Sequence, residues 1–285
     1  MSKSQYNTNN AYEVLIWQLE AGIDHCIGDE PNNRFNKKTE NLESTEKKAV
    51  VEINNGDNFQ SIENNKKVGN MGLIDASNSQ SLIDIGSASD NKLALSSKSL
   101  EELEAVVRGF DDCALKKTSA NTVFSSGNSG SPVMFVGEAP GADEDKEGRP
   151  FVGASGRLFD KMLASIGIIR DEVYLTNTIY WRPPGNRPPT SLEVAQCLPF
   201  LQRQIELVRP DILVPLGGLA AQTLLKVDLG ITLLRGQWHE YALPDKTKIL
   251  TLPMFHPAYL LRSPVHKREA WRDMIALSQK LSQKQ

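Results

Sequence analysis

A carboxylate, a carboxamide, an imidazole and an aromatic ring stand at the ends of apolar runs in this 285-residue chain. Glu138 follows the run Val133 to Val136, and Asn177 closes the run EVYLTN. His256 follows Ile249 to Phe255, and Phe151 lies in the Gly- and Pro-punctuated acidic loop 137–153. A carboxylate can orient water or offset positive charge, and a carboxamide presents a donor beside an acceptor. An imidazole can stabilise charge on a leaving group, and a flat ring can stack on another. Each residue also has a structural alternative. Glu138 suits a solvated loop, Asn177 a turn cap, His256 a structural position before proline, and Phe151 a core. The conjunction of all four after different apolar runs is what points to chemistry.

The elements that must position them follow from periodicity. Residues 132–163 read as a strand, a long loop and a helix with Leu158, Met162 and Leu163 on one face. Asp211 to Leu216 is a nearly continuous apolar run, the pattern of a buried parallel strand. Helices are predicted from Ser99, where Ser-Leu-Glu-Glu forms a capping box, over Ser191 to Val208 with Pro199 inside it, over Leu219 to Leu225, and over residues 265–281. Four strands alternating with helices predict a three-layer α/β/α sandwich around a four-stranded parallel sheet. Open sheets of this kind gather their chemistry at the carboxyl ends of the strands, so Glu138, Asn177 and His256 are expected to share one crevice.

Upstream, residues 11–23 carry an amphipathic helical period, whereas residues 36–95 are rich in Asn, Ser, Lys and Glu. Such a segment cannot bury enough apolar surface to offset its chain entropy. The expected organisation is an accessory helix within 1–35, a disordered linker over 36–95, and the chemistry-bearing domain over 96–285. The net charge of −3 excludes a massively basic nucleic-acid binder, but it is unevenly spread. Residues 1–95 carry 9 basic and 14 acidic side chains, and residues 96–285 carry 23 and 21. No apolar run is long enough for a membrane span, and MSKSQYNTNN lacks a secretory layout, so a cytoplasmic protein that does not contact a membrane is expected. Three cysteines, Cys26, Cys113 and Cys197, are too few for a disulfide framework.

Four stretches then carry a resemblance. GEAPGADEDKEGRPFVGASGRL is very similar to the first motif of the family 4 uracil-DNA glycosylases. NTIYWRPPGNRPP with EVAQCLPFL, then RGQW, then FHPAYLLRSP resemble the second, third and fourth regions of that family, in order, over about residues 105–275. The resemblance implies hydrolysis of the N-glycosidic bond of deoxyuridine in DNA, releasing uracil for base excision repair. It implies that Asn177 reads uracil O4 and N3–H, that Phe151 stacks under the base, and that Ala139 lines the pocket. His256 would stabilise charge at O2 of the departing base, Glu138 would orient water or stabilise the cationic sugar, and Asn186 would stand near them. Ser155, Gly156, Arg262, Lys267 and Arg268 would contact the DNA backbone. A monomer is expected.

The sequence departs from the family at its metal. The resemblance implies a [4Fe–4S] cluster on four cysteines, yet the corresponding positions here hold Phe110, Cys113, Trp181 and Cys197. A cubane normally needs four ligands, so no cofactor is expected, and Phe110 and Trp181 are expected to replace the cluster by packing. Cys26 as a rescue ligand would lie across the long linker. A related subgroup that traps uracil-DNA covalently inserts a basic, His-containing loop after the acidic motif. Here Asp145 runs through Lys146-Glu147-Gly148 directly into Arg149, so trapping is not expected. Two other classes remain open: a weakly catalytic module that binds uracil or abasic sites, and an unrelated nucleotide-binding α/β protein. Against the second, no G-x-G-x-x-G or P-loop opens any helix.

Overall fold

The structure, a computed structural model, describes residues 88–283, with side chains from residue 92. Two helices lead in, α1 (Ala88–Ser96) and α2 (Leu100–Gly109). The sheet strands are β1 (Ser126–Gly127), β2 (Val133–Gly137), β3 (Tyr174–Asn177), β4 (Ile212–Pro215), β5 (His239–Ala242) and β6 (Lys248–Thr251). Between and after them run α3 (Ala142–Glu147), α4 (Ala154–Ala164), α5 (Ser191–Val208), α6 (Gly218–Leu225), α7 (Ile231–Leu234), α8 (Pro257–Arg262) and α9 (Lys267–Ser282).

The strands form one sheet in the order β1-β3-β2-β4-β6-β5. The four inner strands are parallel, and β1 and β5 are antiparallel at the two edges. The expected four-stranded parallel sheet is therefore the centre of a six-stranded mixed one. The edges were missed because β1 has only two residues and β5 exposes most of its side chains, so neither shows an apolar run.

Successive side chains of a strand point to opposite faces, and the inner strands are apolar on both. Val133, Phe135, Leu175, Ile212 and Val214 pack with Phe159 and Met162 of α4, Leu260 of α8, and Met274 and Leu277 of α9. Met134, Val136, Tyr174 and Leu213 pack on the other face with Leu201 and Ile205 of α5 and Ala220 and Leu224 of α6. Helices thus cover both faces of the sheet, as three layers require. A third cluster joins Leu103, Val107 and Phe110 to Ile179, Tyr180, Trp181 and Phe200.

Local signals account for the helix ends. Ser99 caps α2 by accepting from Glu102 N–H, while the Glu102 carboxylate accepts from Lys98 N–H. Thr190 and Glu193 form the capping box of α5, which continues through Pro199. The expected linker boundary at residue 95 needs correction, because α1 is already helical from Ala88. Among its described side chains Ala94 is buried while Leu93 and Leu95 are exposed, so these show no stripe that periodicity could detect. The expected accessory helix within 1–35 lies outside the described residues.

Candidate active site

The inner strands end on one rim. β2 delivers Gly137 and then Glu138, and Gly137 stands in register with Asn177 at the end of β3. Thr178 N–H and its hydroxyl both donate to Gly137 O at 2.9 Å, and Ile179 N–H donates to Glu138 O at 3.3 Å. These bonds keep the two strand exits together past the sheet. A Cβ built on Gly137 would lie 2.4 Å from Asn177 Oδ1 and 2.8 Å from Phe151 Cζ. The carboxamide and the ring therefore converge on this glycine, and no side chain fits there.

The Phe151 ring also packs on Phe159 at 5.3 Å and lies nearly parallel to His256, 5.9 Å between centroids with 25° between planes. Its backbone has φ 57°, a left-handed conformation that costs a bulky residue about 1–3 kcal/mol and persists only when neighbours enforce it. His256 caps α8, and its Nδ1 accepts from Ala258 N–H at 3.1 Å. An accepting Nδ1 puts the proton of the neutral ring on Nε2. Burial, then the Arg262 charge, lowers the His256 pKa to about 4, so the imidazole is neutral at physiological pH. Gly217, with φ 93°, turns the chain beside it; a Cβ there would sit 3.2 Å from His256 Cβ. The sequence reading missed this support, although the Gly217-Gly218 pair after an apolar strand was a signal for it.

Glu138 is partly buried. Desolvation raises its pKa, and the Arg262 charge acts in the opposite direction. The acidic loop owes its shape to its own carboxylates. Glu144 accepts from Gly141 N–H at 3.1 Å, Val152 N–H at 3.0 Å and Gly153 N–H at 2.9 Å. Asp145 accepts from Ala120 and Asn121 N–H. Neither role was foreseen, because both carboxylates fold back onto the backbone from a short helix inside a loop read as irregular.

The other expected residues fall into three groups. Ala139 lies partly buried against the third cluster. Arg262 and Arg268 are exposed, and Ser155 is partly exposed in the first turn of α4. Asn186 is exposed with φ 55°, and its Oδ1 accepts from Arg182 Nε at 2.7 Å, so that oxygen is turned to the Arg-Pro-Pro loop. Two of the expected residues are buried. Lys267 is only 8 % exposed, because it shares the inward face of α9 with Ala270, Met274 and Leu277. Gly156 is buried with its missing side chain against Phe151, whose carbonyl oxygen would lie 1.8 Å from a Cβ. Its smallness makes room for Phe151.

The four positions at which the family resemblance implies iron ligands hold two thiols and two rings. Cys113 and Cys197 are both fully buried free thiols, and burial raises the Cys197 pKa well above the usual thiol value. Phe110 stacks on Trp181 at 6.3 Å and meets Phe200 edge-on at 4.9 Å. Trp181 Nε1 donates to Thr122 Oγ1 at 3.1 Å. This donor set does not fit a four-thiolate cluster. Among the described residues, no three His, Cys, Asp or Glu side chains are grouped to hold a metal. Cys26 lies outside them.

Comparison with known proteins gives the same direction. The family model of the Uracil DNA glycosylase superfamily matches residues 124–275. The chain is 40 % identical over 192 residues to the type-4 uracil-DNA glycosylase of Archaeoglobus fulgidus, covering 66 % of this chain and 96 % of that protein. It is 42 % identical over 165 residues to the type-4 enzyme of Thermotoga maritima, covering 58 % and 84 %. A type-5 uracil-DNA glycosylase of Pyrobaculum aerophilum is 39 % identical over 115 residues, or 35 % of this chain and 50 % of that protein.

Proposed function

The chain belongs to the uracil DNA glycosylase superfamily, and from that premise we propose how its rim performs the reaction. The protein is a uracil-DNA glycosylase, a hydrolase of base excision repair. It acts on uracil-containing DNA, cleaving the bond between C1′ and N1 of deoxyuridine. Water adds to C1′, uracil leaves with the bonding electron pair, and an abasic site remains.

The observation that carries the proposed residue roles is the convergence of the Asn177 carboxamide and the Phe151 ring on Gly137, with His256 nearly parallel to that ring. Uracil extruded from the DNA stacks on Phe151 beside Ala139. Asn177 donates to O4 and accepts from N3–H. Cytosine reverses that pattern and would leave Asn177, only 3 % exposed, with unpaired polar atoms. His256 donates from Nε2 to O2 as negative charge gathers there. A neutral donor suits this task because no proton has to move before the bond breaks. Glu138, in its carboxylate form, orients the water and offsets positive charge on the sugar. Ser155, Arg262 and Arg268 face the phosphates, with Asn186 on the neighbouring loop.

The same proposal includes a glycosylase domain from Ala88 onward, preceded by a linker and an accessory helix. It also includes a monomeric, cytoplasmic enzyme that works without a [4Fe–4S] cluster. Support for the last point is the replacement of two of four thiolate positions by a stacked Phe110 and Trp181.

A uracil-containing oligonucleotide treated with the protein and then alkali is expected to break at the uracil. Asn177→Ala and His256→Ala should each slow single-turnover release about 10²–10³-fold, the usual effect of losing one preorganised donor. Full activity in both variants would overturn the assigned pocket. Binding without cleavage in the unaltered protein would favour a recognition module.

A further inference from the structure

Phe151 is held in its left-handed conformation from two sides. Glu144 fixes the N–H groups that follow it, at Val152 and Gly153. Arg170 fixes the carbonyls. Its Nη2 donates to Phe151 O at 2.5 Å and its Nη1 to Pro150 O at 3.3 Å. Arg170 is in turn oriented by Asp160 of α4, whose Oδ1 accepts from Nε at 2.9 Å and lies 2.8 Å from Nη2. The guanidinium thus joins the Pro150–Phe151 turn to α4 and to the single turn Arg170–Glu172 that enters β3, the strand that ends in Asn177. Gly156 closes the other side of the Phe151 carbonyl, because any Cβ there would overlap it.

We infer that Arg170 is a positioning residue for the base platform: by binding the carbonyls of Pro150 and Phe151 while paired with Asp160, it holds the Phe151 ring at the height and tilt at which a uracil is stacked. The inference rests on the reading that Phe151 stacks under the base. The physical argument is one of strain. A bulky residue at φ 57° relaxes unless its peptide is over-determined, and relaxation would swing the ring away from His256 and Gly137. Arg suits the task because its planar fork can serve two carbonyls and a carboxylate at once, whereas Lys offers a point charge on a flexible stem. Arg170 also lines an open cleft of about 480 Å³ with Ser125, Arg149 and Asp160. A shorter side chain there admits water rather than emptying a sealed core, so effects on the platform can be separated from loss of fold.

The test compares Arg170→Gln, Arg170→Lys, Phe151→Ala and Arg170→Gln combined with Phe151→Ala in the full chain. The readouts are single-turnover release rate, inhibition by free uracil, affinity for an oligonucleotide carrying an abasic-site analogue, and circular dichroism. Arg170→Gln is expected to weaken uracil inhibition about tenfold while abasic-oligonucleotide affinity stays within twofold, with Arg170→Lys intermediate. In the Phe151→Ala background the same change should alter uracil inhibition less than twofold, because there is no ring left to position. If Phe151→Ala weakens uracil inhibition and Arg170→Gln does not, the positioning role is wrong. An equal effect of Arg170→Gln in both backgrounds would also overturn it. If Phe151→Ala itself leaves uracil inhibition unchanged, the stacking reading fails instead. Should Arg170→Gln not fold, the Lys variant decides: uracil inhibition equal to that of the unaltered protein sinks the inference, and weakened inhibition at unchanged circular dichroism supports it.

Discussion

His256 is neutral for a structural reason that also fixes which nitrogen is left to donate. Its Nδ1 is occupied by Ala258 N–H, and burial lowers its pKa to about 4. The unfolded ring, at about 6.5, takes up a proton that the folded ring refuses. Stability from this residue is therefore present above pH 6.5 and is lost as pH falls through about 4. Activity should follow the folded value. We expect single-turnover rates to show no step at pH 6.5 attributable to a histidine; protonation of His256 enters only near pH 4, below the loss of the Glu138 carboxylate, whose pKa burial raises. A rate that rises or falls tenfold around pH 6.5, and loses that step in His256→Gln, would contradict a neutral donor.

At the scale of elements, the rim depends on ties between loops and helices that are far apart in sequence. Arg235, at the end of α7, donates from Nε and Nη2 to the Asp273 carboxylate of α9 and from Nη2 to Glu269 O. Its guanidinium also lies 5.4 Å over the Phe255 ring, the residue before His256. Asp273 is 2 % exposed, and desolvation raises its pKa to about 6 despite the Arg235 charge. Arg235→Met leaves this carboxylate buried without its cation, a change that costs about 3–5 kcal/mol. Urea denaturation at pH 8 should show that loss. The loss should shrink at pH 5, where Asp273 is protonated and the missing cation matters less; an equal loss at both pH values would argue that packing, not charge, makes the tie. A similar exchange of chemistry for packing is proposed where the family resemblance implies iron ligands. Iron and acid-labile sulfide in anaerobically purified protein are expected to be close to zero, and about four iron atoms per chain would refute the reading that Phe110 and Trp181 replace the cluster.

For the whole molecule, the catalytic frame is expected to begin at Ala88. Arg203 of α5 donates to Ser97 O at 3.0 and 2.8 Å, and Ala94 packs in the cluster of Phe110 and Trp181, so α1 belongs to the folded frame. The Archaeoglobus fulgidus relative is matched over 96 % of its length by 192 residues of this chain. A chain of residues 88–285 should release uracil at a rate within about twofold of the full protein, since no charge or donor of the rim is removed. A chain starting at residue 98 should melt several degrees lower, because it loses the partner of Arg203 and uncovers the third cluster, a loss of about 1–2 kcal/mol for a domain of this size. Equal melting temperatures would show that α1 is dispensable.

The sequence by itself determined the inner sheet and the identity of the rim. The runs Val133 to Val136 and Ile212 to Leu216 are apolar at every position, as a strand buried on both faces requires, and the polar residues that follow such strands have to emerge at the carboxyl ends. It also determined that Phe110 and Trp181 stand at two of the four positions where the family resemblance implies cysteine ligands, since that depends on residue identity. Tertiary structure decided the rest. That Lys267 turns inward depends on the phase of α9 against the sheet, and that Gly156 is pressed against Phe151 depends on which backbone lies nearest. The edge strands and α1 carry too little apolar area to leave a period. The left-handed Phe151, enforced by Arg170, Glu144 and Gly156 together, is invisible in any local window, because each restraint comes from a different segment and they meet only once the chain is folded.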